Sequence, residues 1–134
     1  MLDDEGKKIS YTFPKKERLS SKKEIRELFE NGSSFYLYPF KVLFHPYTPD
    51  ESRFYHKVLF SIPKRNFKKA VTRNKIKRRL KEAYRLNKHQ LLKPNFMGLP
   101  LLIAYIYIGK EVYSYKTIEE KLIASLNRLK KNRL

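Results

Sequence analysis

Residues 64–85, KRNFKKAVTRNKIKRRLKEAYR, constrain the fold most. They place eleven Lys or Arg and one acid, Glu82, in 22 positions while keeping a helical apolar spacing. On a wheel of about 100° per residue, Ile76, Leu80, Ala83, Tyr84 and Leu91 share one face, which predicts a helix over about 70–91 anchored on a core. Asn74, Lys77, Arg78, Lys81 and Arg85 form a neighbouring stripe, with Arg73 at its border near the helix start. Solvated helix faces usually mix signs, because opposite charges four residues apart stabilise a helix. This stripe sets Lys77 against Lys81 and Lys81 against Arg85, which repel, so a binding face is the better reading. The helix N-terminus adds dipole and free N–H groups that suit a phosphate.

The rest of the chain supports a folded domain. At 134 residues, 41% apolar and 14% aromatic, it is long and oily enough for one core. A formal charge of +18 calls for a polyanion, nucleic acid first and an anionic membrane second. Residues 1–12 read as a loose polar tail and 13–131 as a single α+β domain suited to nucleic acid. Ser21 and Glu24 have capping-box spacing, Ile25, Leu28 and Phe29 share a face, and Asn31-Gly32 stops the helix. A strand follows in SSFYLYPFKVLFHPY, where Pro39 predicts an edge position or a bulge. A second strand, FYHKVLFSIP, puts Phe54, Val58, Phe60 and Ile62 on one side, with His56 on the same core face. Its other side is amphipathic, so one sheet face is expected under helices and the other partly open. After the basic helix and the loop KPNFMGLP comes a buried strand at 100–108, then a last helix starting at Thr117 with Glu120 as capping partner. Helices packed on a small mixed sheet result, in the order helix, strands, helix, strand, helix.

With no cysteine there is no disulfide or thiolate site. The start, MLDDEGKKIS, does not read as a secretory signal, and the apolar run at 99–109 is too short to span a bilayer, which together point to the cytoplasm. His45, His56 and His89, even beside Asp50 or Glu51, fit no metal motif, so no catalytic residue and no metal site is assigned.

The run RNKIKRRLKEAYR at 73–85, preceded by SIPKR and KKAV, resembles the signature of the bacterial ribonuclease P protein component. RLSSKKEIRELFENG is similar to that family's first helix, and the likeness covers roughly 13–130. The resemblance implies a fold like the second domain of ribosomal protein S5, with a left-handed βαβ crossover, against the usual handedness rule. It further implies an accessory subunit of an endoribonuclease that removes the 5′ leader of precursor tRNA. The partners would be a catalytic RNA subunit and precursor tRNA, with magnesium ions on the RNA and no small-molecule cofactor, and the protein alone would be inactive. The RNA-binding residues implied are Lys64, Arg65, Lys68, Lys69, Arg73, Asn74, Lys75, Lys77, Arg78, Lys81 and Arg85. A leader cleft between the basic helix and the sheet would use Ile25, Phe29, Lys41, Leu43, Tyr55, Arg73, Asn74 and Lys77. Lys75 and Lys81 replace the usual Arg, NFKK lacks the family's common glycine and is one residue longer, and Ile25 stands where a second aromatic is usual.

Three other readings compete. A general RNA-binding or ribosomal-type protein needs only the basic helix. A helix-turn-helix regulator needs a helix before it, where VLFSIPKRNF reads as strand and loop. A membrane-surface protein would carry Trp or Phe on the helix's apolar stripe, which this one lacks. Tyr36, Tyr38, Tyr55, Tyr105 and Tyr107 could stack on bases, although packing explains most such residues.

Overall fold

Ser21 begins the first helix by accepting a hydrogen bond on Oγ from the Glu24 N–H at 3.3 Å. The helix α1, Lys22–Asn31, closes where the Gly32 N–H reaches the Leu28 carbonyl at 2.9 Å. Gly32 has extended backbone angles, φ −74° and ψ 156°, so close packing and not a left-handed turn demands glycine there. A Cβ would stand 2.3 Å from the Leu28 carbonyl oxygen and 3.1 Å from that of Phe44. The structure is a computed structural model that describes residues 12–48, 55–90 and 99–132. Residues 1–11, Asp50, Glu51, Phe54, Leu91 and the loop over 93–98, all used in the sequence reading, lie outside the described residues.

Pro39 does not sit at an edge or in a bulge. With a fixed φ and no N–H to pair, it breaks the aromatic stretch into a hairpin of β1, Ser33–Leu37, and β2, Phe40–Pro46. Strand β3, Lys57–Ser61, is followed by α2, Ala70–Asn87, a short 3₁₀ turn at Lys88–Gln90, and β4, Leu101–Tyr107. The last helix, α3, covers Tyr115–Asn132. It starts earlier than Thr117, because Ser114 is the capping residue: its Oγ accepts the Thr117 N–H at 3.3 Å and its carbonyl accepts the Ile118 N–H at 3.0 Å.

The sheet order is β1-β2-β4-β3, with β1–β2 and β2–β4 antiparallel and β3–β4 parallel across α2. Alternation gives the sheet two unlike faces. Phe40, Val42, Val58, Phe60, Tyr105 and Tyr107 point toward α2 and α3 and are nearly or fully buried. Phe60 stacks on Tyr105 at 5.7 Å, and Phe40 meets Tyr105 edge-on at 5.7 Å. The Tyr105 hydroxyl pairs with Ser125 Oγ at 2.6 Å, which satisfies a polar atom deep in this layer. The opposite face carries the smaller cluster of Leu19, Leu28, Leu43, Leu102 and Ala104, covered by α1. His56 is fully buried, its Nδ1 accepting the Leu101 N–H at 2.9 Å.

The segment before α1 is a second cover. Leu19 N–H bonds the Val58 carbonyl at 2.9 Å along the free edge of β3, and Phe13 packs edge-on against Phe60 and Tyr84. Lys88, 2% exposed, donates from Nζ to Glu17 Oε1 at 2.7 Å and to the Thr12 carbonyl, a buried charge met by a partner and a dipole.

Candidate nucleic-acid interface

Four fully buried side chains, Ile76, Leu80, Ala83 and Tyr84, fix how α2 is rotated on the sheet. That rotation sends the basic stripe outward. Asn74 and Arg78 are exposed on the crest, while Lys77 and Lys81 lie half-buried on one shoulder. Lys81 is pushed below the ordinary lysine value, first by burial, then by Lys77 and by Arg18. Arg18 therefore joins the positive cluster, although sequence reasoning assigned it no role. Its position in the Arg-Leu pair ahead of α1 is the signal that could have found it.

At the start of α2 the cations gather without an acid. Lys64, Arg65, Lys68 and Lys69 are exposed. The cap residue Lys69 offers no side-chain acceptor, and the first turn contains no acidic residue. Its leading N–H groups thus keep their positive partial charge for an anion. Arg73 has a structural task as well, since its Nη1 donates to the carbonyls of Phe67 and Lys68, both at 2.8 Å. Phe67 in turn packs against Tyr107 at 5.9 Å, which ties the glycine-free NFKK loop to the core.

Two of the expected RNA-binding residues fall outside this surface. Lys75 lies about 160° around the helix from Lys77, on the flank of Arg79, whose Nη1 donates to the Tyr113 carbonyl at 2.5 Å. Arg85 is not an unopposed cation: it meets Glu82 Oε1 at 2.5 Å and Oε2 at 3.1 Å. That hydrogen-bonded pair holds the Glu82 carboxyl below its usual range, with the Arg85 charge adding to the effect.

The cleft residues also separate. Among the described residues, buried side chains of α2 and of the sheet fill the layer between them. Most of the sheet's exposed and half-buried residues lie on the other face, and the strand register groups them. Tyr36 pairs with Lys41, Lys41 with Ile106, and Ile106 with Ser61, so these four form one row across the sheet. The next row on this face, Ser34, Leu43, Ala104 and Leu59, runs beneath α1, and Leu43 is only 7% exposed. Leu43 supports α1 instead of facing solvent.

Glu24 grips Lys57 at 3.0 Å and Glu27 reaches His45 at 3.3 Å, so one flank of α1 faces the far end of the sheet. Leu28 points down. Ile25 and Phe29 lie about 60° and 100° around the helix from Leu28, on the flank toward the Tyr36–Ser61 row. Phe29 is 50% exposed. Beyond Ser61, the chain reaches Lys64 in three residues, roughly 10 Å, which links this row to the basic start of α2.

Tyr55 lies on the other side of α1. It lines a cavity of about 610 Å³ with Glu24, Glu27, His45, Tyr47 and Lys57, and its carbonyl accepts the Tyr47 hydroxyl at 2.5 Å. The structure thus gathers Ile25, Phe29 and Lys41 on one flank and leaves Tyr55 on the opposite one. Tyr105 and Tyr107 are wholly buried, whereas Tyr36 and Tyr38 are exposed. Among the described residues, no three His, Cys, Asp or Glu side chains are grouped to hold a metal ion, and no helix is long and apolar enough to cross a membrane.

Comparison with known proteins places this arrangement among relatives. The sequence model of the family described as Ribonuclease P matches residues 13–130. The ribonuclease P protein component of Porphyromonas gingivalis is 35% identical over 126 residues, covering 92% of this chain and 90% of that one. That of Thermotoga maritima is 31% identical over 124 residues, covering 90% and 98%. In three dimensions, the RNase P protein from Thermotoga maritima superposes with a TM-score of 0.66 at 27% identity, over 84% of this chain and 96% of that one. The Staphylococcus aureus RNase P protein shares the fold with a TM-score of 0.68 at 21% identity, over 85% and 95%.

Proposed function

This chain belongs to the bacterial ribonuclease P protein family, and from that membership we propose how its surfaces divide the work of the enzyme. It is the accessory protein subunit of an endoribonuclease of tRNA 5′ maturation whose catalytic site lies in the RNA. An RNA partner in a ribonucleoprotein follows. In our reading the catalytic RNA is bound by Lys64, Arg65, Lys68, Lys69, Arg73, Asn74 and Arg78, with Lys77, Lys81 and Arg18 on the adjoining shoulder. The precursor's 5′ leader lies over the open row of the sheet, between Phe29 and Ile25 on one side and Lys41 on its floor.

The observation that carries this reading is the charge pattern. The one acid within residues 64–85, Glu82, is turned to Arg85, so the crest from Lys64 to Arg78 has no internal counter-charge. Phosphates supply it, and each contact releases condensed counterions. Catalytic magnesium belongs to the RNA in this scheme, where it would activate a water and stabilise the leaving oxygen. The protein supplies cationic contacts and holds the substrate. A general RNA-binding protein with no ribozyme partner is not favoured, because the likeness to ribonuclease P proteins runs through 92% of the chain.

Reconstitution tests the proposal. Protein freed of RNA is expected to cleave nothing at any magnesium concentration, while the cognate RNA becomes active at lower magnesium when the protein is added. Cleavage by RNA-free protein would refute it. For the leader, the Phe29→Ala/Lys41→Ala variant is expected to bind precursor tRNA at least about tenfold more weakly, with mature tRNA unaffected. Equal weakening of both substrates, with the circular dichroism unchanged, would remove the leader from this face.

A further inference from the structure

The open row ends, on the β1 side, near two exposed tyrosines and a third that packs partly against the core. Tyr36 and Tyr38, at the tip of the β1–β2 hairpin, are 63% and 54% exposed. Tyr113, in the connection from β4 to α3, meets Tyr38 with ring centroids 5.9 Å apart at 83°, and its hydroxyl donates to that of Tyr38 at 3.1 Å.

The tip is firmly held. The Pro39 carbonyl accepts the N–H groups of Ile108 at 2.8 Å and Gly109 at 3.3 Å. Arg79 holds the Tyr113 carbonyl, and the Tyr113 N–H reaches the Tyr107 hydroxyl at 3.3 Å. Gly109 leaves the room this requires, because a Cβ there would stand 3.0 Å from the Pro39 Cβ and 3.2 Å from the Tyr113 ring. Contacts from α2, β4 and the loop after β4 therefore order two tyrosines, one of them more than half in water. Core packing accounts for part of the Tyr113 ring but not for Tyr38.

Charge suits an anionic chain beside these rings. Lys41 Nζ stands 5.5 Å from the centre of the Tyr36 ring, and Lys110 is exposed nearby in sequence. Glu111 is the acid of the connection, and its carbonyl accepts the Tyr107 hydroxyl at 2.6 Å.

We propose that Tyr36, Tyr38 and Tyr113 form a stacking platform for unpaired leader nucleotides lying beyond those held over Phe29 and Lys41. The proposal rests on the leader reading above and extends it. Tyr36 carries the continuity, since it is the end residue of the row that Lys41 and Ile106 continue. Every base has a face to stack, so the platform is indifferent to leader sequence. Because the rings are already ordered, little conformational freedom is lost when a base arrives.

The test uses the reconstituted holoenzyme and precursor tRNAs whose leaders range from none to about 12 nucleotides. For the wild type, affinity is expected to rise with leader length and then level off. The Tyr36→Ala/Tyr38→Ala variant, altered at exposed positions, is expected to level off at a shorter leader and to bind the longest precursor about tenfold more weakly. Its affinity for mature tRNA stays at the wild-type value. Tyr36→Phe/Tyr38→Phe, which keeps the rings, follows the wild type. Matching curves for the Ala variant and the wild type would sink the platform while leaving the leader reading in place. A uniform loss at every length, mature tRNA included, would also overturn it. A wild-type affinity that ignores leader length would overturn the leader reading itself.

Discussion

The same four strands present two faces that differ in almost every physical respect. Toward α2 and α3 lie fully buried aromatic rings in edge-on and stacked contact, with tyrosine hydroxyls satisfied by Ser125 and the Glu111 carbonyl. Toward α1 lies a small aliphatic cluster under one helix of ten residues, held at its flank by Glu24–Lys57 and Glu27–His45. The difference teaches where a small RNA-binding domain keeps its stability. One side is sealed by two long helices, which leaves the other side free to hold an exposed Phe29 and Tyr36 and a half-buried Lys41 at little cost to the fold.

The sharpest way to break the contrast is to truncate one ring on each side. Phe40→Ala, on the sealed face, is expected to cost about 3–5 kcal/mol in urea unfolding, whereas Phe29→Ala should cost under about 1 kcal/mol, as exposed substitutions usually do. Comparable losses would make Phe29 core. Gly32→Ala comes next in size, because its new methyl group must displace the Leu28 or Phe44 carbonyl that seats α1. A loss of about 1–3 kcal/mol is expected, and full wild-type stability would show that α1 can shift without resistance.

The outer side of α2 gives a smaller effect, read in RNA binding. If about six phosphates are contacted, the slope of log affinity against log salt should lie near −4 to −5. Arg78→Ala should make it shallower by roughly one, while Arg85→Ala, already paired with Glu82, should change it less. Identical slopes for wild type and Arg78→Ala would make the crest an ordinary solvated face. The smallest expected effect concerns Lys81, whose value is lowered by burial and by its cationic neighbours. In that situation the folded state holds the proton less tightly than the unfolded chain. Stability should therefore rise slightly as pH climbs from the lowered value toward the ordinary lysine value of about 10.4. RNA affinity should fall over the same range as the charge is lost. Lys81→Arg should show neither trend relative to wild type, and parallel pH profiles for the two proteins would contradict the assignment.

Much of the closed face was legible in the sequence because burial leaves periodic traces. The spacing of Ile76, Leu80, Ala83 and Tyr84 and the alternation of Val58 with Phe60 both predicted what packs where. The first helix, its Ser21 cap and its glycine stop were equally readable. What the sequence hid were contacts between distant segments and choices decided by space. Thr117 looked like a cap because Glu120 follows at the right interval, yet Ser114 occupies that role three residues earlier. Pro39 read as an edge position or a bulge, whereas the chain reverses there. Arg85 appeared free until Glu82 was seen to reach it, and Leu43 appeared available until α1 covered it. The separation of Tyr55 from Phe29 depends on which flank of α1 faces which end of the sheet, and no local pattern records that.

The ion pair of Lys88 with Glu17 spans 71 residues of sequence, and the bond to the Thr12 carbonyl spans 76. On a ribosome, the segment holding Thr12, Phe13 and Glu17 emerges early and lacks part of its docking surface until Tyr84 and Lys88 have been made. Closing so long a loop is slow compared with forming a helix. The Glu17–Lys88 pair consequently forms late, and the earliest part of the domain to be made is among the last to lock into place. A fusion ahead of residue 12 would leave this order unchanged. One that replaced residues 12–17 would leave Lys88, just past the end of α2, with no carboxylate to receive its ammonium.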